Sequence, residues 1–240
     1  MSALSHDDYC DRLEAEARAF ADALAGADWD AQVPTCPDWD LSKLAKHVGR
    51  AHRWATAIVT RRAQEFVPFR AIEDSRMPPG EEGRWLRDGA SRLADALRGA
   101  GPDEPVWTWA DPPRAGFWAR RMLHETVVHR ADACLARSLP YALEPAVAAD
   151  AVDEWLSLVT SPFPAGERGP LLADGASLLL HATDGELDGA GAWLLRGTPS
   201  GPDLRRERGP ADAAVHGPAT DLLLVTLRRR PRSDPHIEVE

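Results

Sequence analysis

The chain has 240 residues, 44% of them apolar and 28% charged, with a formal net charge of −10 at pH 7. That is the composition of a folded globular protein, long enough for one large core or two small ones. The acidic balance argues against a nucleic-acid groove, whose affinity comes from Lys and Arg neutralising phosphates. No apolar run approaches the ~20 residues that span a bilayer, and Met1 to Tyr9 carry acids without the apolar stretch of a signal peptide. The expectation is a cytoplasmic protein with neither nucleic-acid nor membrane partners, a monomer or small homo-oligomer. Cys10, Cys36 and Cys134 are too few and too scattered for a disulfide framework or a cysteine-type zinc site, and each reads as a small buried hydrophobe. Only Lys43 and Lys46 are lysine among the 28 Lys and Arg residues, a bias that reads as the codon usage of a GC-rich genome rather than a functional choice.

From about Ser5 to Ala27, Leu13, Ala17, Phe20, Ala21 and Leu24 recur at helical spacing behind early acids, which predicts an amphipathic first helix. Pro34 and Pro37 end it, and Asp40 is placed to cap a second helix that begins at Leu41. Leu44, Val48, Ala51, Ala55 and Ile58 form the apolar face of that helix, with His47 at its edge. Pro68, Pro78, Pro79 and Gly80 mark the next connection. Trp85, Leu86, Ala90, Leu93 and Leu97 predict a third helix ending near Gly99 and Gly101. A loop from Pro102 to Pro113 contains Trp107 and Trp109, and a fourth helix runs to about Arg137.

Four helices joined by mixed loops predict a four-helix bundle over residues 1–138. Beyond Pro140 the pattern changes. Ala146 to Leu158 reads as one more helix with Trp155 on its apolar face; Ser177 to Ala182, Gly191 to Leu195 and Ala211 to His216 read as short strands. A leucine-rich helix from Pro218 to Arg229 and a last strand, Ile237 to Val239, complete a small α+β domain over residues 142–240. The class is therefore mixed, a helical bundle followed by α+β.

The chemistry is sought in the fourth helix, Phe117 to Arg130, which contains no Gly or Pro. Trp118, Met122, Glu125 and His129 recur at spacings of three and four and form one stripe. It begins apolar and ends in a carboxylate and an imidazole, groups that cost free energy at a core unless something satisfies them. A metal ion would do so. His124, Glu125 and His129 are not the zinc-protease H-E-x-x-H, since that pattern needs its second histidine at Val128. His124 and His129 lie about 140° apart around the helix and cannot chelate together; Glu125 and His129 lie only about 40° apart and can. A third ligand must come from another helix, where His47 is the best-placed candidate.

Each of these residues also has a plainer reading. His47 would serve as a hydrogen-bonded histidine at a helix edge, Glu125 as the partner of Arg121 in a surface ion pair of little worth, and His129 as a buried neutral imidazole against a carbonyl. His6, His52, His124, His181, His216 and His236 are read as structural or exposed.

Two stretches, Val33 to Leu41 with Leu44 to Trp54, and His124 to Ala133, resemble the two N-terminal signatures of the mycothiol-dependent maleylpyruvate isomerase family, and Asp212 to Leu224 is similar to that family's C-terminal domain. The resemblance covers nearly the whole chain. It implies a DinB-like bundle followed by a domain resembling sterol carrier proteins, and a divalent metal, usually zinc, held by two histidines and a glutamate. Residue by residue, those ligands are His47, Glu125 and His129. One departure stands out: where the resemblance leads to an arginine before the C-terminal Gly-Pro, this chain has His216.

The resemblance implies mycothiol as co-substrate and a small-molecule electrophile as substrate. Three protein ligands leave zinc a fourth position, where a thiol bound as thiolate would supply a nucleophile the chain itself lacks. Addition to a maleylpyruvate-like activated alkene, rotation and elimination would make an isomerase; permanent transfer to an electrophile would make a thiol S-transferase. Two alternatives differ in class: a metal-dependent hydrolase with activated water, and a non-enzymatic small-molecule binding protein whose metal only ties helices together.

Overall fold

The computed structural model describes residues 4–161, 171–187 and 190–240. Residues 1–3 of the expected bundle and 162–170 and 188–189 of the expected second domain lie outside them. The chain divides into two compact units, Leu4–Tyr141 and, among the described residues, Ala142–Glu240. The mixed class expected from the sequence is the one adopted.

The first unit is built from α1 (His6–Leu24), α2 (Leu41–Thr60), α3 (Glu82–Ala100) and α4 (Ala115–Ala136). Ser5 and Asp8 form a reciprocal capping box at the start of α1. The Asp40 carboxylate accepts from the Lys43 backbone N–H at 2.7 Å and caps α2. Gly101, at φ 77°, ends α3 with its N–H on the Leu97 carbonyl. The helices pack as a closed ring, α1 on α3 and α4, α2 on α3 and α4, around Leu13, Phe20, Leu44, Ile58, Leu86, Leu93, Trp118 and Leu123, none more than 2% exposed. At roughly 2–3 kcal/mol for each such side chain removed from water, this core holds the frame rigid. At Gly49 a Cβ would stand 2.0 Å from the Trp85 ring, so only glycine lets α2 and α3 approach there.

α4 differs from its neighbours in being buried on nearly every face, with His124, Thr126, His129, Arg130 and Asp132 inside as well as its apolar residues. A helix of that kind carries polar groups inward only where partners wait for them.

The second unit comprises α5 (Pro145–Thr160), β1 (Ser177–Ala182), β2 (Ala192–Arg196), β3 (Asp203–Arg205), β4 (Ala213–Gly217), α6 (Ala219–Thr226) and β5 (Glu238–Val239). The sheet order is β3-β2-β1-β4-β5, with β1 and β4 parallel and the other pairs antiparallel. α5 and α6 cover one face, where Val152, Leu156, Leu222 and Leu223 meet Leu180, Trp193 and Leu195. β3 was not anticipated: its three residues carry no apolar alternation to announce a strand. α5 buries Asp150, Asp153 and Glu154, while Trp155 is only half-buried. Asp153 is satisfied by the Trp193 indole N–H and the Arg206 guanidinium, partners that lie 40 and 53 residues away.

Candidate metal centre and its pocket

The three candidate ligands converge. One ligand atom from each of His47, Glu125 and His129 lies within 4.8 Å of the others. His47 Nε2 is 2.7 Å and His129 Nε2 3.3 Å from the same carboxylate oxygen, Glu125 Oε1. The helical offset anticipated for Glu125 and His129 is realised on α4, and α2 delivers His47 from across the bundle. The Arg121–Glu125 pair, expected on the surface as a plainer alternative, exists as well. It joins Arg121 Nη2 to the other oxygen, Oε2, at 2.8 Å, with both side chains largely buried.

A layer of partners fixes these groups. Asp132, wholly buried, holds His129 Nδ1 at 2.8 Å on one oxygen and accepts from the Thr35 hydroxyl at 2.5 Å on the other. An N–H at His129 Nδ1, held by a carboxylate, aims Nε2 at Glu125. The turn that supplies Thr35 is pinned by Val33 N–H on the Trp39 carbonyl and Trp39 N–H on the Cys36 carbonyl. It also lays the Trp39 ring against His47, centroids 4.8 Å apart, and His129, 5.8 Å apart. Behind this layer His52 is fully buried. Thr126 Oγ1 donates to the Met122 carbonyl, so it accepts from His52 Nε2–H at 2.8 Å.

The charges follow from these contacts. Burial opposes ionisation of Glu125, but hydrogen bonds from His129 and His47, with Arg121 nearby, hold its carboxyl well below the usual range. Burial likewise disfavours a charged His129, yet its bonds to Asp132 and Glu125 prevail and push it up to about 9. For His52, burial wins and lowers it to about 3, so it is neutral at pH 7. With no cation bound, a proton on His129 thus balances the buried carboxylates.

Beside the cluster opens a cavity of about 760 Å³, within the range of small-molecule sites. His47 and Glu125 line it together with five cations, Lys43, Lys46, Arg50, Arg70 and Arg121, and no cysteine. Glu125 is the single carboxylate among the lining residues. In a chain of net charge −10 this concentration of positive charge is local. Both of the chain's lysines line this pocket.

Residues 10–134 match the family model for the mycothiol maleylpyruvate isomerase N-terminal domain, and residues 146–240 that for the C-terminal domain of the same family. The chain belongs to the mycothiol-dependent maleylpyruvate isomerase family, a family of enzymes. The two matches span nearly its full length, in agreement with the resemblance carried by Val33 to Trp54 and His124 to Ala133. Among solved structures, it is similar to the crystal structure of the mycothiol-dependent maleylpyruvate isomerase (13% identity, TM-score 0.62) and to that of a histidine-to-alanine mutant of that enzyme (13% identity, TM-score 0.64). Each alignment covers 100% of this chain and 96% of the other. At that identity the likeness speaks for the fold. A comparison with curated protein sequences finds no match. Among the described residues no helix is long and apolar enough to cross a membrane.

Sequence reasoning missed Asp132, Thr35 and Trp39. Asp132 was within reach, three residues beyond His129 on the same helix face. Thr35 was not, since only the folded turn brings it across 97 residues of chain. The remaining histidines divide as the structure dictates: His52 and His124 are buried, His181 pairs with His216, and His236 is exposed.

Proposed function

We propose that His47, Glu125 and His129 hold one divalent cation, zinc by the chemistry of the donors, and that the protein is a thiol-dependent isomerase using mycothiol. Two imidazoles and a carboxylate form the borderline-hard set that zinc prefers. The observation that carries the reading is the convergence of these three groups within 4.8 Å at the edge of a cavity that no cysteine lines. The nucleophile must then come from a second small molecule. A cation bound there would act as a Lewis acid that keeps a thiol sulfur deprotonated near neutral pH.

The chain's own residues do the rest. Asp132 and Thr35 keep His129 in the tautomer and rotamer that presents Nε2, and Arg121 holds the second oxygen of Glu125. The cationic lining draws in an anionic electrophile and stabilises negative charge that develops on it. The substrate is an activated alkene of the maleylpyruvate kind. The thiol sulfur adds to the alkene carbon, and the π pair moves onto the conjugated carbonyl oxygen. After rotation about the new single bond the pair returns and the thiol leaves unchanged, so atoms and electrons balance without an oxidant. Permanent transfer of the thiol to an electrophile would use the same residues, and the family membership favours isomerisation.

The test is metal analysis of the wild type beside His47→Ala, together with maleylpyruvate turnover in the presence and absence of mycothiol. One divalent cation per chain in the wild type, its loss in the variant and turnover only with thiol are the expected results. Equal metal content in both proteins would remove His47 from the site. Turnover without thiol would replace this reading with metal-activated water.

A further inference from the structure

Two groups of residues line the pocket along and beside α2, one mostly cationic but with Trp39 against His47, the other mostly aromatic but with Arg70 next to Phe69. Lys43, Lys46, His47 and Arg50 line the first part of the helix, and Trp54 lines it seven residues beyond His47, about 10 Å along the axis. In the first group most cations are engaged. Lys43 Nζ donates to the Asp38 carbonyl, Arg50 Nε to the Ser75 carbonyl, and Arg121 to Glu125. Lys46 is different. It is half-buried, faces the cavity, and has no hydrogen bond or ion pair among the described residues. A partly desolvated ammonium with no partner is poised for an anion from outside.

In the other group Trp54 is nearly buried and locked, its indole N–H on the Val67 carbonyl at 2.8 Å. Phe69 stacks on it with centroids 4.8 Å apart and planes at 30°, yet remains 58% exposed. Trp109 lies nearly parallel to Trp54, at 6.0 Å and 13°. All three rings line the cavity. A ring as large as Phe69, stacked on Trp54 beside a pocket and left more than half open to water, offers apolar surface that a ligand would cover.

We infer that the electrophile of this enzyme carries an aromatic body as well as an anionic group, the anion meeting Lys46 and the ring lying against Phe69, Trp54 and Trp109. This rests on the proposed thiol chemistry for the reaction and on the pocket alone for the ligand. A small dicarboxylate could reach from Lys46 to Arg70, the exposed neighbour of Phe69, but would leave the rings of Phe69, Trp54 and Trp109 uncovered. An enone acid bearing an aryl ketone spans Lys46 and those rings, with its alkene between them, near His47.

The test separates binding from turnover. Calorimetry on the metal-loaded protein compares 3-benzoylpropanoate, a saturated and unreactive aryl keto acid, with succinate, a dicarboxylate lacking the ring. The aryl acid is expected to bind at least about tenfold more tightly, in line with stacking on two or more rings. Lys46→Ala weakens it by about tenfold or more, the loss of a charge-assisted contact. Phe69→Ala and Trp109→Ala each weaken it about three- to tenfold and leave succinate unmoved. Phe69 is too exposed for its removal to unfold the bundle, so that variant decides the matter if Trp109→Ala is poorly folded. Succinate bound as tightly as the aryl acid, or an unchanged affinity in Phe69→Ala, would overturn the inference. Turnover of cis-3-benzoylacrylate with mycothiol is then followed by its absorbance. Selective binding without thiol-dependent turnover would sink the proposed reaction and leave the ligand class standing. Maleylpyruvate turnover without selective binding of the aryl acid would do the reverse.

Discussion

Among the described residues two pairs of histidines approach closely, one in each unit, and their partners give them opposite characters. In the bundle, His47 and His129 lie with ring centroids 4.9 Å apart around a shared carboxylate oxygen. In the sheet, β1 and β4 set His181 opposite His216 in register, with their Nδ1 atoms 3.0 Å apart. The outer partner makes the difference. Asp132 accepts at His129 Nδ1, so Nε2 faces inward to Glu125, where a cation would take the place of its proton. Arg208 donates to His181 Nε2, so the proton of that neutral imidazole sits on Nδ1 and points at His216. One pair converges on a carboxylate, which a cation would share, and the other is backed by a guanidinium. A guanidinium also lowers the affinity of His181 for a proton, after burial, and disfavours any other cation for the same reason. Two imidazoles at chelating distance thus do not define a metal site; the group behind them decides which way the lone pair points.

The largest expected effect is removal of one of the proposed bundle ligands. Glu125→Gln keeps the shape but forfeits the charge that both histidines share. Its metal affinity is expected to fall by more than about 100-fold, beyond what outer partners usually contribute, and thiol-dependent turnover with it. Metal analysis by mass spectrometry and initial rates at saturating thiol check this. Unchanged metal content in Glu125→Gln would erase the contrast between the two pairs.

The next effect concerns acid. His52 is lowered to about 3 by burial first, then by Arg53, whereas an unfolded histidine titrates near 6.5. A depressed value means the folded state favours the neutral ring. The contribution is therefore full above about pH 6.5 and is lost as pH falls toward 3, at about 1.4 kcal/mol per pH unit. By pH 4.5 the loss is about 3 kcal/mol. His52→Gln, whose amide can still donate to Thr126, is expected to be less stable at neutral pH but to flatten this slope. Chemical denaturation across pH 4.5–7.5 measures it. A slope identical to wild type would mean that His52 takes up its proton without opening the bundle.

A smaller effect is expected from the outer layer. Asp132→Asn leaves an amide where the carboxylate stood and frees His129 to turn or to change tautomer. Metal affinity is expected to fall about 10- to 100-fold, the usual cost of an outer partner, with the fold retained. An affinity equal to wild type would show that packing, from Trp39 among others, suffices to aim the ring.

The two pairs also differ in how far the sequence disclosed them. The bundle site was legible because α4 is a regular helix, and its 3.6-residue period places Glu125 and His129 on one face before anything is known of the fold. The caps at Asp40 and Gly101, the four helices and the change of pattern after Pro140 were legible for the same reason, that local periodicity and turn chemistry encode them. Thr35, Trp39 and the meaning of Lys46 were not. Each acquires its role from a turn or a helix face set against another element, which no spacing along the chain reports. The sheet pair was equally hidden. His181 and His216 stand 35 residues apart and meet only through the parallel register of β1 and β4. The family resemblance predicted an arginine where His216 stands; the structure brings a guanidinium to that pair all the same, from Arg208.

The smallest effect is the sharpest probe of the comparison. If the outer partner sets the direction of the lone pair, replacing the donor behind His181 by an acceptor should invert the sheet pair. Arg208→Glu removes a cation, lets the His181 proton move to Nε2, and bares Nδ1 toward His216. Arg208 is exposed, so its replacement is expected to change stability by no more than about 0.5 kcal/mol. Titration with Zn2+ should then reveal a second, weaker binding event absent from the wild type, removed again by adding His216→Ala, while the bundle site keeps its stoichiometry. A two-imidazole site with one distant carboxylate lacks the third close ligand that Glu125 provides, which is why the event is expected to be weak. Its absence in Arg208→Glu would mean that the tautomer alone does not separate the two pairs, and that the shared Glu125 oxygen carries the whole distinction.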